Sequence, residues 1–403
     1  MTILETCNEV LKRIDQTEWQ LIWPGFKPVA FCLYNEEKAY LFNHPMIVSD
    51  QESFYSFDRE KQFVGDTLIL YKDYPTAIVN VDKYDCPNHI YSILVHELFH
   101  GYQSMMNDKR FPDELQGVRY PLCLKNINLR LKERSNLYNA YMEKDPNKKR
   151  ELLQTFLSYR EQRKGLLDDV IEYEFFVETF EGPAWFAEVK AYQQVSSSPL
   201  LEVLKPYREA FFDYSGLNLH HRRSCYSSGL FLCLILEEMA PGWEVAFMHS
   251  HHSLSDFFMQ AIGLEVKEVI GLDLSILPEA ELIYEAGKLE KHKKFAEFYQ
   301  NGSFQLIIEG NMRATFFDPI NMICIEDQVL HQYFIEISIN GKDYLIHQPA
   351  LVRFDNNMLD VKELHVNLKW KPVFHHGMLF IDEIGEIKGE YAEDGSSFYL
   401  TVQ

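Results

Sequence analysis

His96-Glu97-Leu98-Phe99-His100 sets two imidazoles and a carboxylate within one short stretch of chain. On a helix, side chains at i and i+4 leave the same face about one turn apart, so His96 and His100 can both reach one ion. Zinc accepts imidazole nitrogen at ~2.0–2.1 Å and keeps an open position where it catalyses. Glu97 flanks that position and can take a proton from water whose pKa the ion has lowered towards about 7. The neighbours Ile93, Leu94, Val95, Leu98 and Phe99 are apolar, which turns the polar members of the pentad inward. Buried histidines and a buried carboxylate without a partner are costly, and one Zn2+ per chain supplies that partner.

A third protein ligand is required, and residues 101–111 hold no histidine. The next acidic helical segment runs from Glu172 to Glu188 and offers Glu178, Glu181 and Glu188. Here the chain resembles the gluzincin zinc metallopeptidases, in which a downstream helix supplies a glutamate ligand. The similarity is to the aminopeptidase N-like branch, with its pattern Glu-Gly-x-Ala-x-aromatic, matched by Glu181-Gly182-Pro183-Ala184-Trp185-Phe186. The resemblance implies Glu181 as the third ligand; Glu178 and Glu188, at i−3 and i+7, stay open as rivals. It also implies a role for Tyr226 in Tyr226-Ser227-Ser228-Gly229, a match to the Tyr-x-x-Gly whose tyrosine donates a hydrogen bond to the tetrahedral oxyanion.

Three features depart from that family. From His100 to Glu181 is 181 − 100 = 81 residues, so 108–170 reads as an insertion. Pro183 lacks an N–H and crowds the preceding turn, which predicts a kink or a helix start there. The family's Gly-Ala-Met-Glu-Asn strand has no counterpart either. In its place stands Thr76-Ala77-Ile78-Val79-Asn80-Val81, which can pair with an extended peptide by β-augmentation but carries no glutamate for a free N-terminus. Aminopeptidase specificity is therefore not expected. The resemblance covers about residues 76–262.

The elements that must position these residues follow from periodicity. Ile3, Cys7, Val10, Leu11 and Ile14 predict an amphipathic helix, and Val29–Tyr34, Lys38–Phe42, 67–71 and 76–81 read as strands. Helices are predicted over 90–102, 122–141, 147–167, 172–194 and 226–239, the last stopped by Pro241-Gly242. From about Asn301 short β-type runs take over, with hairpin signals at Asn340-Gly341 and Asp394-Gly395. The expected fold is α+β. Residues 1–90 form an N-terminal α/β part of the catalytic unit, and 91–300 a mainly helical, thermolysin-like zinc-binding core with a solvated helical hairpin inserted at about 108–170. Residues 301–403 form a β-sandwich or barrel-like module that can serve a protein partner.

Composition narrows the function classes. With 46% hydrophobic and 25% charged residues, the chain is neither disordered nor of low complexity. Its net charge of −21 opposes nucleic acid and anionic membranes. No stretch nears the ~20 apolar residues of a membrane span and no secretory signal is read. Seven scattered cysteines without a Cys-x-x-Cys pair fit reduced thiols, hence a cytoplasmic setting. His249-Ser250-His251-His252 and His375-His376-Gly377 read as polar turns, and His220-His221-Arg222-Arg223 as a basic turn or a group that orients substrate. P-loop, dinucleotide and Gly-x-Ser-x-Gly signatures are missing. The expected function is hydrolysis of peptide bonds in a peptide or small protein by metal-activated water. The same residues would also serve a zinc hydrolase of a non-peptide amide or ester, or a non-catalytic zinc-containing binding protein.

Overall fold

In the structure, a computed structural model, residues 2–45, 54–212, 218–266 and 271–402 are described. The chain begins with helix α1 (Ile3–Gln16), started by a capping box in which Thr2 and Glu5 satisfy each other's backbone N–H. A single turn, α2 (Trp19–Ile22), leads into five strands. These are β1 (Ala30–Tyr34), β2 (Lys38–Phe42), β3 (Tyr55–Asp58), β4 (Thr67–Tyr71) and β5 (Tyr74–Asn80), in the spatial order β3-β2-β1-β5-β4. Strand β1 is buried along its whole length, as its run Ala-Phe-Cys-Leu-Tyr demands.

One expectation is corrected here. Strand β5 cannot accept an added peptide, because β1 pairs with it in parallel and β4 in antiparallel register. The edge belongs to β4. The cause is a tight turn at Lys72 and Asp73, both at positive φ (45° and 64°), that folds β4 back onto β5. A turn of that shape usually carries Asn-Gly or Asp-Gly, so Lys-Asp gave no warning of it.

Helix α3 (Pro87–Met105) follows, opened by Pro87 where the missing N–H costs nothing. Its apolar face meets the sheet and an aromatic group in which Phe99 lies 5.0 Å from Trp23 and 5.3 Å from Phe26. After the short α4 (Glu114–Val118) come α5 (Leu124–Met142) and α6 (Pro146–Leu167), a helical hairpin. Helix α7 (Glu172–Val195) then runs between α3 and α10 (Asn218–Met239), with α8 (Leu200–Val203) and α9 (Lys205–Phe211) in the connection. Helices α11 (Trp243–Met248), α12 (Leu254–Ala261) and α13 (Pro278–Gln300) complete the helical part. Among the described residues no helix is long and apolar enough to cross a membrane.

Pro183 neither starts nor ends α7, which continues through it. Packing from both sides overrides the lost hydrogen bond, and the decisive contact is between two glycines. A Cβ on Gly182 would stand 2.6 Å from the Cα of Gly229, and one on Gly229 would stand 2.6 Å from the carbonyl oxygen of Glu178. The glycines of Glu-Gly-x-Ala and of Tyr-x-x-Gly are thus the floor of one close helix crossing. We predict that Gly182→Ala and Gly229→Ala each lower stability by about 1–3 kcal/mol, read from denaturant midpoints; an unchanged midpoint would show that the crossing has slack.

The hairpin α5–α6 is also not the solvated pair that its charge suggested. Arg130, Lys132, Glu133, Arg134, Arg160 and Arg163 are all buried. Arg160 reaches Glu133 at 2.6 Å and Glu178 at 2.7 Å, while Arg163 reaches Glu133 at 2.6 Å and also binds Glu174. Guanidinium forks suit such buried carboxylates because they satisfy both oxygens together. The hairpin is therefore bolted to α7 from behind.

Residues 304–401 are strands and turns. A nine-stranded sheet is organised by the long strand Phe304–Phe317, which pairs along its length with Asp360–Leu368. Its other side forks, pairing parallel with Ser397–Thr401 and then antiparallel with Ile335–Ile339. The fork lies at Gly310, whose φ of 144° suits glycine and where a Cβ would strike the carbonyl of Val402. A three-stranded sheet shares the same core through Leu379, Ile381 and Ile387. The Asn340-Gly341 turn forms, with φ of 52° and 76°.

Candidate metal centre

Helix α3 presents His96 and His100 towards α7, and their Nε2 atoms come within 3.1 Å of each other. From α7, Glu181 brings Oε2 to 3.2 Å from His100 Nε2 and 3.5 Å from His96 Nε2. All three side chains are buried. Four ligands held at ~2.0–2.1 Å around one tetrahedral ion stand roughly 3.3–3.4 Å apart. The observed separations bracket that value.

The tautomers are set by neighbours. Gln103 donates its amide N–H to the carbonyl of Phe180 at 2.9 Å, which turns its oxygen towards His100 Nδ1 at 2.7 Å. His100 Nδ1 must then carry the hydrogen, leaving Nε2 as a bare lone pair. His96 Nδ1 faces Glu188 Oε2 at 3.2 Å, near enough for an ion pair though not aligned as a hydrogen bond. The other oxygen of Glu188 accepts from Tyr207 at 2.7 Å. His96 Nε2, His100 Nε2 and Glu181 Oε2 thus converge in one buried spot. Two imidazole nitrogens and a carboxylate oxygen at these separations are a donor set that fits zinc.

The electrostatics are those of a place that favours positive charge. Burial favours neutral His96, yet the carboxylates of Glu181, Glu188 and Glu97 beside it hold its pKa well above the ordinary histidine value. Burial works against the Glu181 anion too, but the neighbouring His100 and Arg222 hold its pKa well below the usual carboxylate range. Glu97 is pushed up, chiefly by burial and against the pull of His96 and His100. Its carboxylate makes no hydrogen bond among the described residues and is not one of the three converging donors.

The rivals are accounted for. Glu178 points away and is gripped by Arg160 at 2.7 and 2.8 Å and by Ser228 at 2.5 Å. Glu188 lies beside His96 and orients it. Glu174 is enclosed by Arg163 and Tyr120, and Glu172 is exposed. Tyr226 shares Arg222 with Glu181 and makes no hydrogen bond to the three donors among the described residues. Its ring stands edge-on to Trp185 at 5.2 Å and beneath the Arg222 guanidinium at 5.0 Å, and its hydroxyl has no hydrogen-bond partner among the described residues. His220 lies outside the described side chains. His221 accepts from Arg130 at 2.6 Å, its pKa pushed well down by burial and then by Arg130. His249, His251 and His252 sit in an exposed loop.

Three neighbours were not read from the sequence: Gln103, Tyr207 and Glu114, the last of which holds Arg222. Gln103 was within reach, since i+3 from His100 is the same helix face. Beside Glu188 opens a cavity of about 510 Å³, walled by Tyr84, Ile93, Trp185, Tyr192, Val203 and Tyr207. Comparison of the chain with family models, with curated proteins and with solved structures finds no match.

Proposed function

We propose that this chain is a zinc-dependent hydrolase of gluzincin type, with a thermolysin-like helical core, that cleaves peptide bonds. One observation carries the reading: a nitrogen of His96, a nitrogen of His100 and a Glu181 carboxylate oxygen converge within 3.1–3.5 Å of one another, all buried. These three residues would hold the zinc, which when bound supplies a Lewis acid and lowers the pKa of water towards about 7. Glu97 takes the proton of the attacking water and returns it to the leaving amine. Its burial favours the protonated form, which suits a group that must hold a proton between two steps. Tyr226, with an unengaged hydroxyl, is assigned to the developing oxyanion. A side chain next to the cleaved bond fits the cavity beside Glu188, whose size lies within the roughly 300–1,000 Å³ common to ligand sites. All seven cysteines are free, in keeping with a cytoplasmic enzyme, and the C-terminal strands are the surface for a protein partner.

Of the acids that might bind a substrate's α-ammonium, Glu174 and Glu178 belong to buried arginines, Glu172 is exposed, and β5 offers none. An unpaired buried ammonium costs several kcal/mol, so cleavage of an N-acetylated peptide should match or exceed that of its free-amine twin. Zinc is counted first in protein purified without added metal, and then the two peptides are compared at equal concentration. One zinc per chain without hydrolysis of either peptide turns the reading to a binding protein. Removal of single residues from the free form alone reveals an amine anchor.

A further inference from the structure

We infer that Arg222 is a positioning residue for Glu181, and that the C-terminal strand region fixes Arg222 in turn through α4. The inference rests on the metal reading above. Glu181 turns Oε2 to the imidazoles, while its Oε1 accepts from Arg222 Nη2 at 3.1 Å. With that oxygen engaged, one oxygen is left to face an ion, and the carboxylate cannot swing.

Arg222 does not stand alone. The same Nη2 donates to Glu114 Oε1 at 2.9 Å, and Nε donates to that oxygen at 3.1 Å. Tyr173 donates to the other oxygen of Glu114 at 3.1 Å. The groups packed around the guanidinium are therefore Glu114 from α4, Tyr173 and Glu181 from α7, and the ring of Tyr226 from α10. The Arg222 side chain is 11% exposed, which keeps these contacts from being screened away.

Glu114 is placed by α4, and α4 is placed by the strands. Val118 is part of the hydrophobic core of the C-terminal region and Leu115 packs against it. The short helix touches the turn Pro319–Asn321 and the strand Met322–Ile325 on one side, and α7 and α10 on the other. A serial chain results: strand core, α4, Glu114, Arg222, Glu181. Its chemical meaning is that whatever shifts the strand region against the helices loosens one metal donor.

The apo protein is titrated with zinc in competition with a chromophoric chelator. Loss of a group that orients a ligand typically weakens metal binding by 10–100-fold, and Arg222→Met should do so. Removing the guanidinium also removes a repulsive charge, and Arg222→Lys separates the two effects by keeping the charge while losing the fork. Arg222→Lys should weaken binding in the same direction. Glu114→Gln and Val118→Ala should each weaken zinc in the wild-type background and add nothing to Arg222→Met, the mark of action through one residue. Arg222→Met that binds zinc as tightly as wild type, or more tightly, overturns the proposal. So does an equal effect of Glu114→Gln with and without Arg222. A wild type that takes up no zinc sinks the metal reading and this one with it, whereas zinc-loaded, unaltered variants sink this one alone.

Discussion

Glu97→Gln should lower peptide hydrolysis by about 10²–10⁴-fold while one zinc per chain stays bound. Glu97 sits next in sequence to His96 but is not among the three converging donors. An amide in its place keeps the volume and loses the ability to accept a proton. Because the carboxylate makes no hydrogen bond among the described residues, the exchange leaves no partner stranded and should hardly move the unfolding midpoint. Zinc content, turnover and midpoint are measured on one preparation. Zinc lost together with activity would make Glu97 a ligand or a structural residue and contradict its assignment as the base.

The second large effect divides two glutamates that look alike in sequence. Glu181→Ala should strip zinc at concentrations that leave wild type loaded, and it also costs apo stability because Arg222 keeps only Glu114. Glu178→Ala should lower stability and leave zinc bound. It leaves the buried Arg160 with Glu133 as its one remaining carboxylate, and breaking a buried pair costs about 3–5 kcal/mol. Chelator competition reads the first and denaturant unfolding the second. Should Glu178→Ala release zinc from a folded protein while Glu181→Ala retains it, the ligand has been placed one turn away from its true position.

The pentad was legible because His96, Glu97 and His100 lie within about one turn, where helical geometry leaves little freedom. Glu181 was harder to single out. A helix turns about 100° per residue, so Glu181 and Glu188 share a face and both meet His96, while Glu178 is rotated by roughly 60° into α6 and α10. Local sequence carries the rotation but not the identity of what waits on each side. The hairpin was misread for the same reason: charged residues at this density describe a wet surface unless their mates are known, and those mates lie from 11 residues away, as Arg163 and Glu174 do, to 141, as Lys132 and Asp273 do. The reading of 76–81 as a strand open to an added peptide failed at Lys72-Asp73, where residues without the usual turn signature adopt positive φ and bring β4 alongside β5. The C-terminal hairpin at Asn340-Gly341 was plain because its chemistry and its geometry coincide.

The arginine bolts behind α7 bear on how metal would enter. In small zinc modules the ion is what folds the chain, so binding and folding are one event. Here Glu174 and Glu178 lock the helix to α6 through Arg163 and Arg160, and Gly182 locks it to α10, all without an ion. Glu181 is thus carried on a beam anchored on either side of it. Were zinc held there, a donor fixed in this way by protein contacts would let it load and leave by exchange rather than by assembly.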